Sequence, residues 1–207
     1  MTASPLIHVV DDDESLRTAL LRLLDAAGYE ARGYASSGEF LMHPIADRPG
    51  CLLLDLNMPG PSGLDLQQDL ARRGVCLPVV FLTGRADVAS SVKALKAGAS
   101  DFLTKPVERA TLLEALGRAL AQDLEQRRTR DEAAQLQARF KLLTPREREV
   151  FERVVLGRLN KQIANELGIA ERTVKLQRAQ VMVKLEVGSA AELGRLAERL
   201  QALPRQP

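Results

Sequence analysis

Five times between residues 6 and 106, a short apolar run gives way to a charged or turn-forming cluster and then to apolar residues at helical spacing. The apolar runs lie at 6–10, 29–34, 51–54, 77–82 and 100–103. The helical patterns lie at 14–27, 36–43, 64–73 and 88–97, with a fifth after Pro106. A run of four to six apolar residues bounded by Gly and Pro reads as a strand covered on both faces. Strands that alternate with helices must lie parallel, because each helix carries the chain back to the same edge of the sheet. The spacing therefore predicts an α/β domain with a doubly wound, five-stranded parallel sheet.

That topology gathers side chains that are far apart in the sequence. Asp11 and Asp12 follow the first strand, Asp55 ends the third, Thr83 ends the fourth and Lys105 follows the fifth. In an open parallel sheet, ligands collect outside the carboxyl ends of the strands, where all five residues are expected. Three carboxylates brought together repel one another unless cations compensate. Lys105 supplies one positive charge, and a hard, oxygen-seeking Mg²⁺, with Mn²⁺ as a substitute, would supply two more. A carboxylate can attack a phosphoryl group without a general base, so Asp55 is the expected acceptor of an aspartyl phosphate.

Charge separates the rest of the chain from this part. Residues 1–122 carry 12 Lys/Arg and 15 Asp/Glu, net −3, whereas residues 123–207 carry 17 and 12, net +5. The basic part suits a polyanion. Between 108 and 140 there is no Pro and only Gly117, with Leu112, Leu113, Leu116, Leu120 and Leu124 on one stripe, so one long helix is expected. The expected division is 1–121 for the first domain, 122–141 for a linker helix and 142–207 for a small all-α domain of four helices. There, Thr144, Pro145 and Glu147 form a capping box with Pro in the first turn, and Ser189 with Glu192 repeats the box pattern. Gly157 and Gly168 stop the first two of these helices, which makes a helix-turn-helix. The third, 171–185, has Val174, Val181 and Leu185 on one side. Arg172, Lys175, Arg178 and Lys184 supply positive charge elsewhere on it, as a helix in a DNA major groove requires.

The first half resembles the receiver domains of two-component response regulators, through VVDDD at 9–13, LLLDLNMPGPSG at 52–63, LTG at 82–84 and AGASDFLTKP at 97–106. The resemblance implies Asp12 as the direct Mg²⁺ ligand, Asp11 acting through water, Asp55 as phosphoacceptor and Asn57 offering its carbonyl to the metal. It implies that Thr83 and Lys105 bind the phosphoryl oxygens, that Phe102 is a switch aromatic and that the Lys105–Pro106 bond is cis. Asn57 and Arg85 would tune the lifetime of the phosphate, and autodephosphorylation would be slow. The second half resembles the LuxR-type DNA-binding domain, through LTPREREV, NKQIANELGIAERTVK and VKLEVGSAAEL. That resemblance places DNA contacts on Lys161, Arg172, Thr173, Lys175, Leu176, Arg178 and Ala179. Gln177 stands where the family often has His, and Ala170 where a capping Ser is common.

Together the halves resemble a FixJ/NarL-type transcriptional response regulator. The implied partners are a sensor histidine kinase, promoter DNA and RNA polymerase, with a homodimer formed on phosphorylation. The dimer face is expected either on the receiver's last helix or on the stripe of Leu193, Leu196 and Leu200. The alternative is a DNA-binding protein that uses its receiver only to dimerise. A turnover phosphatase would want a carboxylate where Asn57 stands, and an esterase-like output would need a His in the second half, whereas His8 and His43 are both in the first. No signal-like N-terminus and no stretch of about 18 apolar residues is present, so a cytoplasmic protein with no membrane partner is expected. Cys51 and Cys76 are expected as buried free thiols.

Overall fold

A computed structural model describes residues 4–84 and 94–202. The first part runs β1 (Leu6–Val10), α1 (Glu14–Ala26), β2 (Glu30–Tyr34), α2 (Ser37–Met42), β3 (Gly50–Asp55), α3 (Gly63–Arg72), β4 (Val79–Thr83) and β5 (Asp101–Thr104). The strands form one sheet in the order β2-β1-β3-β4-β5, and every pairing is parallel. β1, β3 and β4 are buried along their whole length, as both-face coverage demands. Alternate residues feed two cores. Ile7, Val9, Leu53 and Leu82 pack with Leu20 and Leu24 of α1, whereas Val10, Leu54 and Phe81 pack with Phe40 of α2 and Leu66 and Leu70 of α3.

Two departures from expectation have local causes. The fourth strand begins at Val79 and not at Leu77, because Pro78 has no N–H to give a ladder, although its carbonyl still accepts from Leu52 N at 2.8 Å. Cys51 is buried as expected, but Cys76, in the segment before that strand, is exposed. The expected helix over 88–97 lies mostly outside the described residues; 94–96 are helical.

α4 (Arg109–Lys141) is a single helix of 33 residues. Leu112 and Leu116 are fully buried against the sheet, but Leu124, expected on the same stripe, is 56% exposed. Asp123 is buried instead, at 1% exposure. Its Oδ2 accepts from the Gly50 N–H at 2.9 Å and from Arg127 Nε at 2.8 Å, and Arg127 Nη1 reaches Asp47 at 2.6 Å. A polar side chain is needed at that turn because the first amide of β3 would otherwise be buried without an acceptor. The chain divides into compact units at 127/128, so this clamp lies inside the first unit, past the expected boundary at 121.

In the second unit follow α5 (Pro145–Val155), α6 (Asn160–Leu167), α7 (Glu171–Leu185) and α8 (Ala190–Ala202). They enclose a core that includes Val150, Phe151, Ile163, Val174, Val181 and Leu185. The Thr144 hydroxyl accepts from Glu147 N while the Glu147 carboxylate accepts from Thr144 N, the expected capping box. Leu193 is fully buried in this core, and Leu196 and Leu200 pack against it. Of the stripe expected to face a second copy, Leu193 thus belongs to the unit's own core, while Leu196 and Leu200 remain partly exposed at its edge.

Candidate functional site

The sheet reverses its winding between β1 and β3, since β1 connects outward to β2 on one side and pairs with β3 on the other. The carboxyl ends of those two strands define a crevice, and they carry Asp11 and Asp55. Asp11, Asp12 and Asp55 each bring a carboxylate oxygen within 4.8 Å of the others. Asp11 and Asp55 are buried, and Asp12 is exposed at the mouth. Lys105 Nζ lies 2.8 Å from Asp11 Oδ2 and 3.2 Å from Asp55 Oδ2, bridging the two. An all-oxygen donor set with one open side fits a hard divalent cation that keeps part of its water shell.

Electrostatics here are strained by design of the site. Burial pushes the Asp55 carboxyl above its usual pKa; Lys105 opposes that rise, and the Asp11 charge adds to it. For Lys105, burial works against the ammonium, but hydrogen bonds and charge from Asp11 and then Asp55 outweigh it and hold the pKa above the ordinary value. One ammonium cannot neutralise three carboxylates, so the pocket keeps an excess of negative charge that a cation would relieve.

The loops after the strands place the remaining expected residues. Asn57 N approaches Asp55 Oδ1 at 3.4 Å, and Asn57 Nδ2 donates to Thr83 Oγ1 at 3.3 Å. Thr83 is fully buried at the end of β4. Gly63 starts α3 where the chain passes back over the strand end: a Cβ there would run into the Asp55 carbonyl and the Phe81 ring. Phe102 is partly buried, with its ring centroid 6.4 Å from that of Phe81. Lys105–Pro106 is a cis peptide. Arg85 lies outside the described residues.

Four supporting side chains were not singled out by the sequence. Asp13 caps α1, accepting from Ser15 N and Leu16 N, which commits the third carboxylate of the acidic run to the helix. An Asp three residues before Leu16, the first apolar residue of the helical pattern, was the available signal. Arg17 Nη1 donates to the Asp11 carbonyl at 2.6 Å. Ser62 and Asp65 form a capping box on α3, legible as the spacing S-x-x-D.

In the second unit, Arg172, Lys175, Leu176 and Ala179 are exposed on α7, Thr173 is half-buried, and Lys161 is exposed on α6. Lys175 pairs with Glu171 on its own helix. Arg178 stands apart, half-buried, with Nη1 donating to Asn160 Oδ1 at 3.1 Å. Lys184, expected among the groove-facing charges, instead turns onto the buried Glu147 carboxylate at 2.7 Å. Ala170 caps α7 without a side-chain hydrogen bond, and Gln177 Oε1 is buried with no partner among the described residues.

Comparison with known proteins follows the same division. The response regulator receiver domain family matches residues 7–117, and the bacterial regulatory proteins of the luxR family match residues 141–197. Nodulation protein W of Bradyrhizobium diazoefficiens is 42% identical over 94% of this chain and 86% of its own length. The transcriptional regulatory protein FixJ of Azorhizobium caulinodans is 40% identical over 95% of this chain and 93% of its own. Among solved structures, the response regulator StyR superposes with a TM-score of 0.88 at 44% identity, over 95% of this chain and all (100%) of that one. Full-length FixJ from B. japonicum gives 0.59 at 36% identity, over 99% and 100%. The chain belongs to the two-component response regulators that join a receiver domain to a LuxR-type helix-turn-helix, and it is a transcriptional regulator.

Proposed function

We propose that Asp55 is the phosphoacceptor of this regulator and that its phosphorylation by a partner histidine kinase controls dimerisation and DNA binding. The observation that carries this reading is the bridge from Lys105 to both Asp11 and Asp55 beside the exposed Asp12. In the transfer, an Asp55 oxygen forms a bond to phosphorus as the bond between phosphorus and the kinase histidine nitrogen breaks. Lys105 and the Thr83 hydroxyl stabilise charge on the transferred oxygens. Asp11, Asp12, Asp55 and the Asn57 carbonyl would hold Mg²⁺, or Mn²⁺ in its place, and the ion would supply the positive charge that Lys105 alone cannot. Receiver domains bind Mg²⁺ at an acidic pocket of this kind.

The Thr83 hydroxyl oxygen accepts from Asn57 Nδ2 in this state; when a phosphoryl group arrives the hydroxyl moves to donate to it, and Phe102 turns inward behind it. With Asn57, and not a carboxylate, two residues after Asp55, that position offers no acid/base group to activate water, and dephosphorylation is slow. Arg85 is proposed to set that lifetime together with Asn57. DNA contacts are proposed for Lys161, Arg172, Thr173, Lys175, Leu176 and Ala179, with RNA polymerase as a further partner at the promoter and the cytoplasm as the site of action. Among the described residues no helix is long and apolar enough to cross a membrane.

The test is a gel shift on a duplex that the wild-type chain selects from a random pool, with and without acetyl phosphate and Mg²⁺. Wild type is expected to shift more DNA when the donor is present, and Asp55→Asn to ignore it. Equal binding by both proteins under every condition would overturn phosphorylation control and favour the receiver as a constitutive dimerisation module.

A further inference from the structure

The charged and exposed residues of α7 do not share one face. At about 100° per residue, Arg172, Lys175, Leu176, Ala179 and Val183 cluster around a single direction. All five are exposed, Leu176 at 63% and Val183 at 71%. Val174, Val181 and Leu185 point the opposite way and are buried. Arg178 falls about 40° from the centre of the buried side and about 120° from the exposed one. Its guanidinium is half-buried and donates to Asn160 Oδ1, on the first residue of α6. A residue that read a base edge from this helix would have to leave that bond and swing around the helix.

We propose that Arg178 is a positioning residue that acts through Asn160: the pair locks the recognition helix α7 to the start of α6 and so fixes the angle at which the exposed face meets the major groove. The inference rests on the DNA-binding reading of the second unit. Arg suits this place because its planar fork holds one orientation once a single N–H is engaged, which an ammonium on a flexible stem does not. The bond ties the first residue of α6 to the middle of α7, eight residues past Ala170. The donor is a guanidinium, so this is a charge-assisted hydrogen bond, stronger than one between neutral groups.

Asn160→Ala is the informative variant because it removes the acceptor without changing charge. Binding of the full-length chain is measured against the duplex selected by wild type, against each single-base-pair variant of it, and against unrelated DNA, over a range of salt. Asn160→Ala is expected to weaken the selected duplex about tenfold, with non-specific binding and the salt slope unchanged and with the ranking of base-pair variants preserved. Arg178→Ala is expected to lose the same discrimination, the double variant to lose no more than either single one, and Arg178→Lys to recover only part. Relaxed preference at one base pair in Arg178→Ala but not in Asn160→Ala would make Arg178 a base reader. A salt slope reduced by about one ion in Arg178→Ala, with Asn160→Ala unaffected, would make it a phosphate contact. Either result overturns the proposal, as does additivity of the two substitutions. A wild-type chain that selects no sequence would instead fail the DNA-binding reading itself, before Arg178 is in question.

Discussion

Burial and the Asp11 charge disfavour ionised Asp55, and Lys105 offsets them only in part. A carboxyl whose pKa is raised by folding is protonated longer in the folded than in the unfolded chain. Its ionisation therefore costs stability as pH rises through the interval above the ordinary value of 3.8, and the whole cost is present at neutral pH. Asp55→Asn, without Mg²⁺, is expected to melt higher than wild type at pH 7, with the gap narrowing in acid; a lower melting temperature at pH 7 would contradict the charge argument. His8 has the opposite sign. It lies at 5% exposure in β1, with Nδ1 3.0 Å from the Tyr34 hydroxyl, and burial followed by the Arg32 and Arg48 charges lowers its pKa from 6.5 to about 4. The folded chain keeps His8 neutral, so its contribution is complete above 6.5 and is lost as pH falls toward about 4. At the lower end the loss is roughly 3 kcal/mol. Urea unfolding of wild type and His8→Gln across that interval should show a steeper pH dependence for wild type. The acidic residues were legible from their place after apolar runs. The inward turn of Lys184 was not, because charge along a helix does not say which cation has a buried carboxylate such as Glu147 within reach.

Helix ends and strand ends show where local rules sufficed. The boxes at Thr144/Glu147 and Ser62/Asp65 obey a spacing rule, and the first was legible from it. α7 is the exception. Ala170 has extended dihedrals, φ −68° and ψ 143°, suited to a cap, yet offers no acceptor to the first turn. Ala170→Ser is expected to raise the unfolding free energy of the second unit by about 1 kcal/mol, measured by chemical denaturation of the full chain, with no loss of DNA binding. The apolar stripe of α4 was legible at Leu112 and Leu116 and misleading at Leu124. Periodicity reports which side of a helix faces the core only while there is a core beside it. At Asp123 the neighbour is the opening amide of β3 at Gly50, which donates to it, a contact across 73 positions that no local pattern encodes.

At the scale of the whole molecule, the alternation of strands and helices dictated the sheet, and the sheet dictated which side chains meet. Charge follows the same division: an acidic crevice lies in the first unit and a basic helix face in the second. What the alternation could not locate was the end of the first unit, because the contact boundary at 127/128 falls inside one unbroken helix. Asp123 marks the difference. β3 carries Asp55 at one end, and at the other its opening amide is held by Asp123, roughly 17 Å away along the strand. Asp123→Ala leaves that amide buried without an acceptor and is expected to cost about 1–3 kcal/mol in the first unit, read by urea unfolding.

The same clamp sets a rule for grafting. A receiver exchanged between regulators of this kind must carry its own helix through Arg127, since a splice at 121 would pair one protein's β3 with another's α4 and leave the matching of Gly50, Asp123, Arg127 and Asp47 to chance. Hybrids joined after Arg127 are expected to fold as well as their parents, whereas those joined at 121 fold only where the donor helix brings an acceptor to the same turn.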